Sequence, residues 1–456
     1  MPGPRTAQGK PVRLLPVPLT ATPAEIQALL KKNHYLYFKP GSYNIGQLEI
    51  KNWNEGVIWG AGRLTTNLNG SIIVSGSTNT TIGNVSIINN KTPKGEALIS
   101  VSGSRKSQLN LMSMLASAGK DGIAIRLQSP GQFIIQGCQL TGNDIGLSIE
   151  HTKAEAVVFG GNMQANRVHM QQRQGHLAAR ALGLQMTKGD ADIVLHTPSP
   201  LGYHLIEGLR SEGNNSANEN EVLVQVPPTT AAVNVALRAN GLGSMAHYAD
   251  YNANGTLLLQ ENVNYPGAED RQSIGVTVHS SGAAKVISIG NKYGLSYDAA
   301  PGPFAVSNHT AVQSIGDLWM LPNTTDYSKH FNEPITREAM QAAKKALPGG
   351  VSFYNTTDSA VLSLPDLSAY KVATCPRIAN LAELMLNVKD FGAVPNDGKD
   401  DRVAIQRALD AAEKGGTYEP VYFPAGRYEV GEPLFLDHLA GGGFWGDGAD
   451  RTVLVS

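Results

Sequence analysis

The fold is decided by residues 387–428, NVKDFGAVPNDGKDDRVAIQRALDAAEKGGTYEPVYFPAGRY. Their pattern predicts, in this order, a strand, a polar loop, a helix and a second strand. Polar and apolar residues alternate over 387–391, as they do in a half-buried strand. Asp400 and Asp401 stand where an N-cap belongs, and apolar residues then recur at helical spacing until a Gly-Gly pair. Residues 421–423 read as a strand. One amphipathic helix before a stack of strands predicts a lid over the open edge of that stack.

The order and spacing of these pieces resemble the opening segment of the pectate-lyase-like superfamily. These are right-handed parallel β-helix proteins that cut or modify polysaccharides, and their opening segment is a capping helix followed by the first coil. An ordinary helix–strand unit of an α/β domain is the alternative, and it matches the order and spacing less well. The predicted fold class is therefore an all-β solenoid: a right-handed parallel β-helix with short capping helices, plus the start of a second β-helix domain.

The stretch from 71 to about 165 repeats itself without long helices, which is typical of a solenoid. One series of corresponding apolar positions is spaced by 26, 24 and 24 residues: Ile73, Ile99, Ile123 and Leu147. A second series is spaced by 27, 24 and 24 residues: Ile82, Leu109, Phe133 and Val157. Leucine-rich repeats share this period, but their Leu-x-x-Leu-x-Leu pattern is absent, so a β-helix fits better.

A second beginning lies near the N-terminus. Residues 22–68 give a short helix, a strand, a Pro-Gly turn and another strand, in the same order as the C-terminal copy. Tyr37 corresponds to Tyr422, and Trp59 corresponds to Trp445. The chain thus holds two first-coil modules, and the N-terminal one lacks a counterpart of the NVKDFGA strand.

Three domains follow from this organisation. Residues 1–330 are predicted to form the first β-helix domain, and residues 331–386 a connector with a helix over 334–347. Residues 387–456 are predicted to form the cap and first coil of a second β-helix domain. A lone coil cannot bury its own apolar ladder. We therefore expect this second domain to be incomplete, and a fragment that lacks most of its catalytic domain is one interpretation of the chain.

Composition agrees with a turn-rich solenoid and narrows the partners. The 456 residues include 49 Gly and 25 Pro, and the formal net charge of −1 argues against nucleic acid or a membrane as partner. Cys138 and Cys375 are too few for a disulfide framework. No signal peptide and no run of membrane-spanning length is visible. The family resemblance nevertheless implies an extracellular or cell-surface location.

The tandem arrangement resembles a family of beta-1,3-glucan hydrolases in which two β-helix domains face each other and the sugar binds between them. This resemblance implies a glycoside hydrolase that degrades a glucan-type polysaccharide. A polysaccharide lyase or epimerase on a uronate polymer is the alternative, and a non-catalytic, tailspike-like glycan-binding β-helix is another. No cofactor is expected for a hydrolase, whereas a lyase could use Ca²⁺. A homo-oligomer is compatible with each function.

The candidate site residues come from the densest polar constellation. A glycoside hydrolase needs two carboxyl groups across the scissile bond, and a lyase needs a cation for the substrate carboxylate and a base for the C5 proton. Side chains at outward positions of successive coils could supply either the two carboxyl groups of a hydrolase or the cation and base of a lyase. The catalytic candidates are Glu150, His151, Asp190 and Asp192. The substrate-binding candidates are Lys153, Arg173, His176, Tyr248 and Tyr251. The simpler alternative is that they are solvated outward positions, and a one-residue slip in register would turn them inward.

Overall fold

The structure is a computed structural model. It describes residues 12–185, 187–212, 222–243, 247–265, 276–278, 284–294, 304–306, 310–315, 317–320, 351–354, 380–414, 419–436, 443–448 and 450–455. The connector helix predicted over 334–347 lies outside the described residues.

Short strands dominate these residues. The strands of the first half are β1 Leu15–Val17, β2 Tyr35–Phe38, β3 Gly41–Lys51, β4 Gly56–Gly60, β5 Thr66–Ser75, β6 Thr80–Gly83, β7 Ser86–Ile88, β8 Ala97–Ser102, β9 Ser107–Met112, β10 Leu115–Ser117, β11 Ile123–Leu127, β12 Gly131–Thr141, β13 Ile145–Gln164, β14 Val168–Arg180, β15 Gly183–Gln185, β16 Ala191–Leu195, β17 His204–Glu207 and β18 Arg210–Glu212. Those of the second half are β19 Val222–Val226, β20 Val235–Arg238, β21 Gly241–Gly243, β22 His247–Tyr251, β23 Gly255–Gln260, β24 Val263–Tyr265, β25 Val276–Val278, β26 Ala284–Ile289, β27 Lys292–Gly294, β28 Phe304–Val306, β29 Thr310–Ile315, β30 Leu318–Met320, β31 Val351–Tyr354, β32 Leu386–Asn387, β33 Val421–Phe423, β34 Gly426–Glu429, β35 Phe444–Gly446 and β36 Thr452–Val455.

The helices are few and short. They are α1 Pro23–Lys32, α2 Leu381–Leu384, α3 Arg402–Glu413 and a 3-10 turn at Val388–Phe391. None of the described helices is long and apolar enough to cross a bilayer.

Strands one coil apart pair in parallel, as β16 pairs with β19 and β19 with β22. Parallel pairing of strands about one coil apart in sequence defines a parallel β-helix, so the predicted fold class is confirmed. The chain divides into two compact units: residues 1–89, 98–117 and 370–456 form one, and residues 90–97 and 118–369 form the other.

The second unit has an interior ladder of aliphatic side chains. Leu147 of β13 pairs with Met170 of β14, Met170 with Ile193 of β16, and Ile193 with Val224 of β19. All four side chains are buried. Stacking of like residues on successive coils removes apolar surface from water without a second layer of structure.

The predicted register of the repeats is wrong by one or two residues. Ile99 pairs with Ile72 rather than with Ile73, and Leu147 pairs with Ile125 rather than with Ile123. The alternating pattern gives the strand but not which of its residues meets the next coil, because the turns between strands differ in length.

A ladder of buried amides closes one turn of the second unit. The side-chain amide of Asn240 donates to Asn262, Asn262 donates to Asn291, and Asn291 donates to Asp317, at 2.9, 2.9 and 3.1 Å. The same amides also donate to backbone carbonyls of the neighbouring coil, for example Asn262 to Leu237 at 2.8 Å. Burial raises the pKa of Asp317 at the end of this ladder. Each coil thus fixes the turn of the next.

The first unit contains both first-coil modules, and they share one register. In the N-terminal module, Tyr37 of β2 pairs with Trp59 of β4. In the C-terminal module, Tyr422 of β33 pairs with Trp445 of β35. Helix α1 precedes the first pair of strands and α3 precedes the second. The duplication predicted from the sequence is therefore a structural duplication.

Details of the turns repeat as well. The hydroxyl of Tyr43 donates to the carbonyl of Lys39 at 3.2 Å, and that of Tyr428 donates to the carbonyl of Pro424 at 3.1 Å. Two departures from the expectation stand out. Strand β1 pairs with β2 as β32 pairs with β33, so the N-terminal module does have a counterpart of the opening strand. The predicted strand over 387–391 is mostly the 3-10 turn.

The C-terminal module packs against the N-terminal module within the first unit. Asn380 accepts from the backbone amide of Leu14 at 3.1 Å and donates to its carbonyl at 3.0 Å. Arg13 and Glu383 form an exposed ion pair. One apolar cluster joins the two modules: Val12, Leu14, Tyr37, Val57, Trp59, Ala61, Leu381, Leu384, Met385 and Tyr422. The C-terminal module therefore buries one of its sides against the N-terminal module.

Candidate functional site

Polar side chains line successive coils of the second unit on one face. Arg126 of β11 pairs with Ser148 of β13, and Ser148 pairs with Gln171 of β14. His196, directly after β16, lies one coil beyond Gln171. We call the set Arg126, Ser148, Glu150, Gln171, Arg173 and His196 the polar strip.

Glu150 lies at one end of the polar strip, and both of its carboxylate oxygens accept hydrogen bonds. It accepts hydrogen bonds from Ser148 Oγ at 2.7 Å and from Gln128 Nε2 at 2.9 Å. Arg126 Nε lies 3.3 Å from its Oε1. A carboxylate held by a cation and two neutral donors is stabilised as an acceptor, so the geometry suits positioning better than proton donation.

The other end of the polar strip is a chain of three side chains. Arg173 Nε donates to Gln171 Oε1 at 3.4 Å, and Gln171 Nε2 lies 3.1 Å from His196 Nε2. Because the oxygen of Gln171 faces Arg173, its amino group faces His196 and donates to it. This assignment leaves Nε2 of His196 unprotonated. Burial, and secondarily the charge of Arg173, lower the pKa of His196, so the imidazole is neutral near pH 7.

A bulge in β13 adjoins the polar strip. The register of β13 with β14 shifts between Glu150 and Glu155, so residues 151–154 bow out opposite Gly175. Gly175 has φ of +86°, and a Cβ there would lie 2.4 Å from the carbonyl oxygen of Ala154. The bulge exposes Lys153, whose backbone amide donates to Nδ1 of His151 at 3.1 Å.

The predicted catalytic residue Asp192 lies inside the protein. Its side chain is almost fully buried, and it accepts from Ser211 Oγ at 2.6 Å and from Thr187. His169 Nε2 lies 3.6 Å away. This corrects the outward orientation expected for Asp192, because the turn before β16 folds over it. Asp190 is exposed in that turn.

Three predicted substrate-binding residues are also buried. His176 shares a 2.8 Å hydrogen bond with Ser199 and stacks on His204 at 5.9 Å between ring centroids. The hydroxyl of Tyr251 donates to carbonyl oxygens, that of Val233 lying at 2.6 Å. Tyr248 is fully buried as well. These rings face the interior, so their expected orientation toward a bound sugar is wrong.

The structure thus brings four of the predicted residues to one region: Glu150, His151, Lys153 and Arg173. Three residues of the polar strip were not predicted from the sequence: Arg126, Gln171 and His196. The alternation in ADIVLHT could have pointed to His196, since it is the first polar residue after a buried strand. No feature of the sequence indicated that Gln171 would contact both Arg173 and His196.

In the part of the chain that the structure describes, no group of three or more His, Cys, Asp or Glu side chains is arranged to hold a metal ion. The acidic loop before α3 caps the helix. Asp400 accepts from the backbone amides of Arg402 and Gly431 at 2.9 and 3.0 Å.

Comparison with known proteins connects this fold to a family. Residues 385–455 match the family model described as Rhamnogalacturonase A/epimerase, pectate lyase-like. The chain is a parallel β-helix, and this C-terminal segment is similar to the pectate-lyase-like family. The match covers the C-terminal module, the segment from which the resemblance was predicted.

Two curated relatives are similar over short stretches. Plasmin and fibronectin-binding protein A of Streptococcus pneumoniae is 43% identical over 84 residues, which is 18% of this chain and 12% of that protein. Mannuronan C5-epimerase AlgE6 of Azotobacter vinelandii is 58% identical over 52 residues, 10% of this chain and 6% of the epimerase. The chain therefore spans a small fraction of these relatives.

Solved structures of similar fold include a PL6 family alginate lyase, AlyGC, and the catalytic domain of a GH87 alpha-1,3-glucanase. The lyase has 11% identity and a TM-score of 0.34, with 97% of this chain and 68% of the lyase covered. The glucanase has 12% identity and a TM-score of 0.33, with 78% and 70% covered. Likeness at this level carries no inference about activity.

Proposed function

We propose that the protein acts on a polysaccharide at the polar strip, and that the polar strip suits a uronate polymer better than a neutral glucan. The observation that carries this proposal is the Arg173–Gln171–His196 chain. It joins an exposed cation to a neutral imidazole on an outward face of the β-helix.

The chemistry of uronates needs these two groups. The C5 proton of a uronate is too weakly acidic to leave unless the adjacent carboxylate is neutralised, and Arg173 can pair with that carboxylate. His196 can then take the C5 proton at Nε2 as general base once the bound sugar displaces the Gln171 amide from that nitrogen. In a lyase, the electrons of the C5–H bond form the C4–C5 double bond while the C4–O4 bond breaks and the departing oxygen gains a proton. In an epimerase, a proton returns to C5 from the opposite face.

The relatives support the same substrate class. The name of the matched family model includes an epimerase, and one matched relative is named a mannuronan C5-epimerase. The matched segments are short, and they support an acidic polysaccharide as the substrate class. An extracellular or cell-surface location and a homo-oligomeric state belong to this proposal too.

Glycoside hydrolysis of a glucan is the second candidate. It needs a protonated acid and a second carboxyl group across the scissile bond. In the described site Glu150 accepts hydrogen bonds from Ser148 and Gln128 and is ion-paired with Arg126, and Asp192 is buried. Glu150 and Asp192 therefore do not form a free pair of carboxyl groups. A glycan-binding β-helix without catalysis is the third candidate.

The test is incubation with polymannuronate, polyguluronate, pectate and laminarin. A lyase produces the ultraviolet absorbance of an unsaturated uronate, an epimerase exchanges the C5 proton for deuterium in heavy water, and a hydrolase produces new reducing ends alone. We expect turnover on a uronate polymer that is lost in Arg173→Ala and kept in Arg167→Ala, an exposed arginine outside the polar strip that is paired with Asp144. Hydrolysis of laminarin without action on uronates would overturn the proposal.

A further inference from the structure

A second row of outward side chains in the second unit combines an exposed aromatic ring with two arginines. Phe159 of β13 pairs with Arg180 of β14, Arg180 with Glu207 of β17, and Glu207 with Arg238 of β20. Phe159 is 47% exposed, and the side chains of Arg180 and Arg238 are 43% and 34% exposed. We call these four residues the arginine row.

Glu207 holds both arginines in the arginine row. Its Oε2 lies 2.6 Å from Nε of Arg180, one coil before it, and its Oε1 lies 3.4 Å from Nη1 of Arg238, one coil after it. Each guanidinium carries five N–H donors, so the two arginines together have more donors than one carboxylate can accept. The three side chains therefore keep one net positive charge and donors for a further carboxylate.

The arginine row follows the direction in which the coils stack. Neighbouring parallel strands lie about 4.8 Å apart, so the four side chains form a line with one group for each coil. The residue directly after each of them in the chain is a Gly or an Ala: Gly160, Ala181, Gly208 and Ala239. Because no long side chain follows any member of the row, an extended chain has room to lie along it.

We infer that the arginine row is a second binding surface of this protein, and that its ligand is an acidic polysaccharide. Arg180 and Arg238 pair with carboxylates on successive stretches of the sugar chain, and the ring of Phe159 packs on the apolar face of a neighbouring pyranose. Nucleic acid fits less well, because its affinity comes from many phosphate contacts and the row has only one cation in excess.

The arginine row and the polar strip are separate rows of strand pairs. Both use β14, but Arg173 of the polar strip precedes the bulge at Gly175, whereas Arg180 follows it. The ligand class follows from the charge and the exposed ring of the arginine row, independently of any catalysis at the polar strip. Binding there would hold a long polymer on the protein while another part of it occupies the polar strip.

The experiment measures binding of polygalacturonate and polyguluronate oligomers by calorimetry in an Arg173→Ala background, which disables the polar strip. Phe159→Ala and Arg180→Ala are each expected to raise the Kd at least about tenfold. The matched controls are Phe435→Ala, which removes another exposed ring, and Arg167→Ala, which removes another exposed arginine in an ion pair. Both controls should leave the Kd unchanged.

Rates on short uronate oligomers, measured with the polar strip intact, separate this surface from the proposed function. Phe159→Ala and Arg180→Ala should leave kcat unchanged. Binding that depends on Phe159 and Arg180 supports the inference even where no uronate is turned over, a result that would contradict the proposed function alone.

Four results would overturn the inference. The first is the absence of uronate binding in the Arg173→Ala background, and the second is an equal loss in Arg180→Ala and Arg167→Ala, which would reduce the effect to net charge. Tighter binding of laminarin or single-stranded DNA that depends on Phe159 would assign the row to a neutral glycan or to nucleic acid. A dimer in light scattering that Phe159→Ala dissociates would assign it to a second copy.

Discussion

The rings of Trp59 and Trp445 meet edge to face, with centroids 6.0 Å apart and planes at 78°. The two residues occupy equivalent positions of the two first-coil modules. The contact therefore packs the same position of the N-terminal and C-terminal modules against each other. Trp59 is 4% exposed, and the same apolar cluster includes the equivalent pair Tyr37 and Tyr422. The junction between the modules is therefore built from the corresponding face of each.

Trp445→Ala is expected to loosen the C-terminal module. The substitution removes one ring of the edge-to-face pair and part of the apolar cluster, and we expect a loss of about 2 kcal/mol in the free energy of unfolding. Urea unfolding and limited proteolysis between the modules measure it. Phe435→Ala is the control because Phe435 is 62% exposed. Equal effects of the two substitutions would contradict the role of the contact.

Arg173→Ala is expected to lower kcat/KM on the uronate polymer by at least about a hundredfold, because the substrate carboxylate loses its partner. Arg173→Lys should retain part of the activity, since a charge remains without the planar donor pair. Initial rates on purified polymannuronate and pectate test both variants. Wild-type rates in Arg173→Ala would remove the residue from the site.

Gln171→Leu tests whether the amide positions His196. The substitution removes the donor that faces Nε2 of His196, so we expect kcat to fall while KM changes little. The fold should be unaffected, because Gln171 lies on the outer face. Gln171→Asn, with a shorter amide, should not rescue the rate, whereas Gln171→Glu should raise the pKa of His196 by placing a negative charge beside it. A proportional change in KM alone would argue for a binding role.

The pH dependence of activity should report His196. The base must be neutral, and its pKa is lowered by burial and by the charge of Arg173, so activity should fall on the acid side only below the usual histidine range. Arg173→Gln removes the charge and should move this acid limb to higher pH. Rates from pH 4 to 8 and NMR titration of the imidazole provide the measurement. An acid limb that stays in place would exclude this electrostatic coupling.

Stability should fall in mild acid because of three buried histidines. Burial lowers the pKa of His169 and His176 to about 3 and that of His204 to about 4, whereas an unfolded histidine titrates near pH 6.5. Between these values the unfolded chain binds more protons, so the free energy of unfolding decreases as pH falls. Each histidine should favour unfolding by up to about tenfold per pH unit below 6.5.

Denaturant unfolding from pH 7 to 4.5 measures this slope. We expect His176→Gln to make it shallower even if the variant is less stable at pH 7. His151→Gln is the matched control, because the side chain of His151 is half-exposed, and it should change the slope less than His176→Gln does. An identical slope in both variants would refute the assignment.

The sequence by itself determined the fold class and the duplication. Apolar alternation between Gly and Asn turns predicts short stacked strands, and the match of Tyr37 and Trp59 to Tyr422 and Trp445 appears without any structure. Such signals are local, because a strand or a helix cap is specified by residues within one turn of each other. These features can therefore be predicted from the sequence alone.

Only the tertiary structure decided which side chains face outward and what they meet. Asp192, His176 and Tyr251 read as surface residues, yet all three side chains are buried. A shift of one residue in register moves a strand side chain to the other face. The Arg173–Gln171–His196 chain crosses two coils, and its spacing depends on the length of each intervening turn. The packing of the C-terminal module against its N-terminal duplicate likewise depends on contacts between residues more than 360 positions apart in sequence.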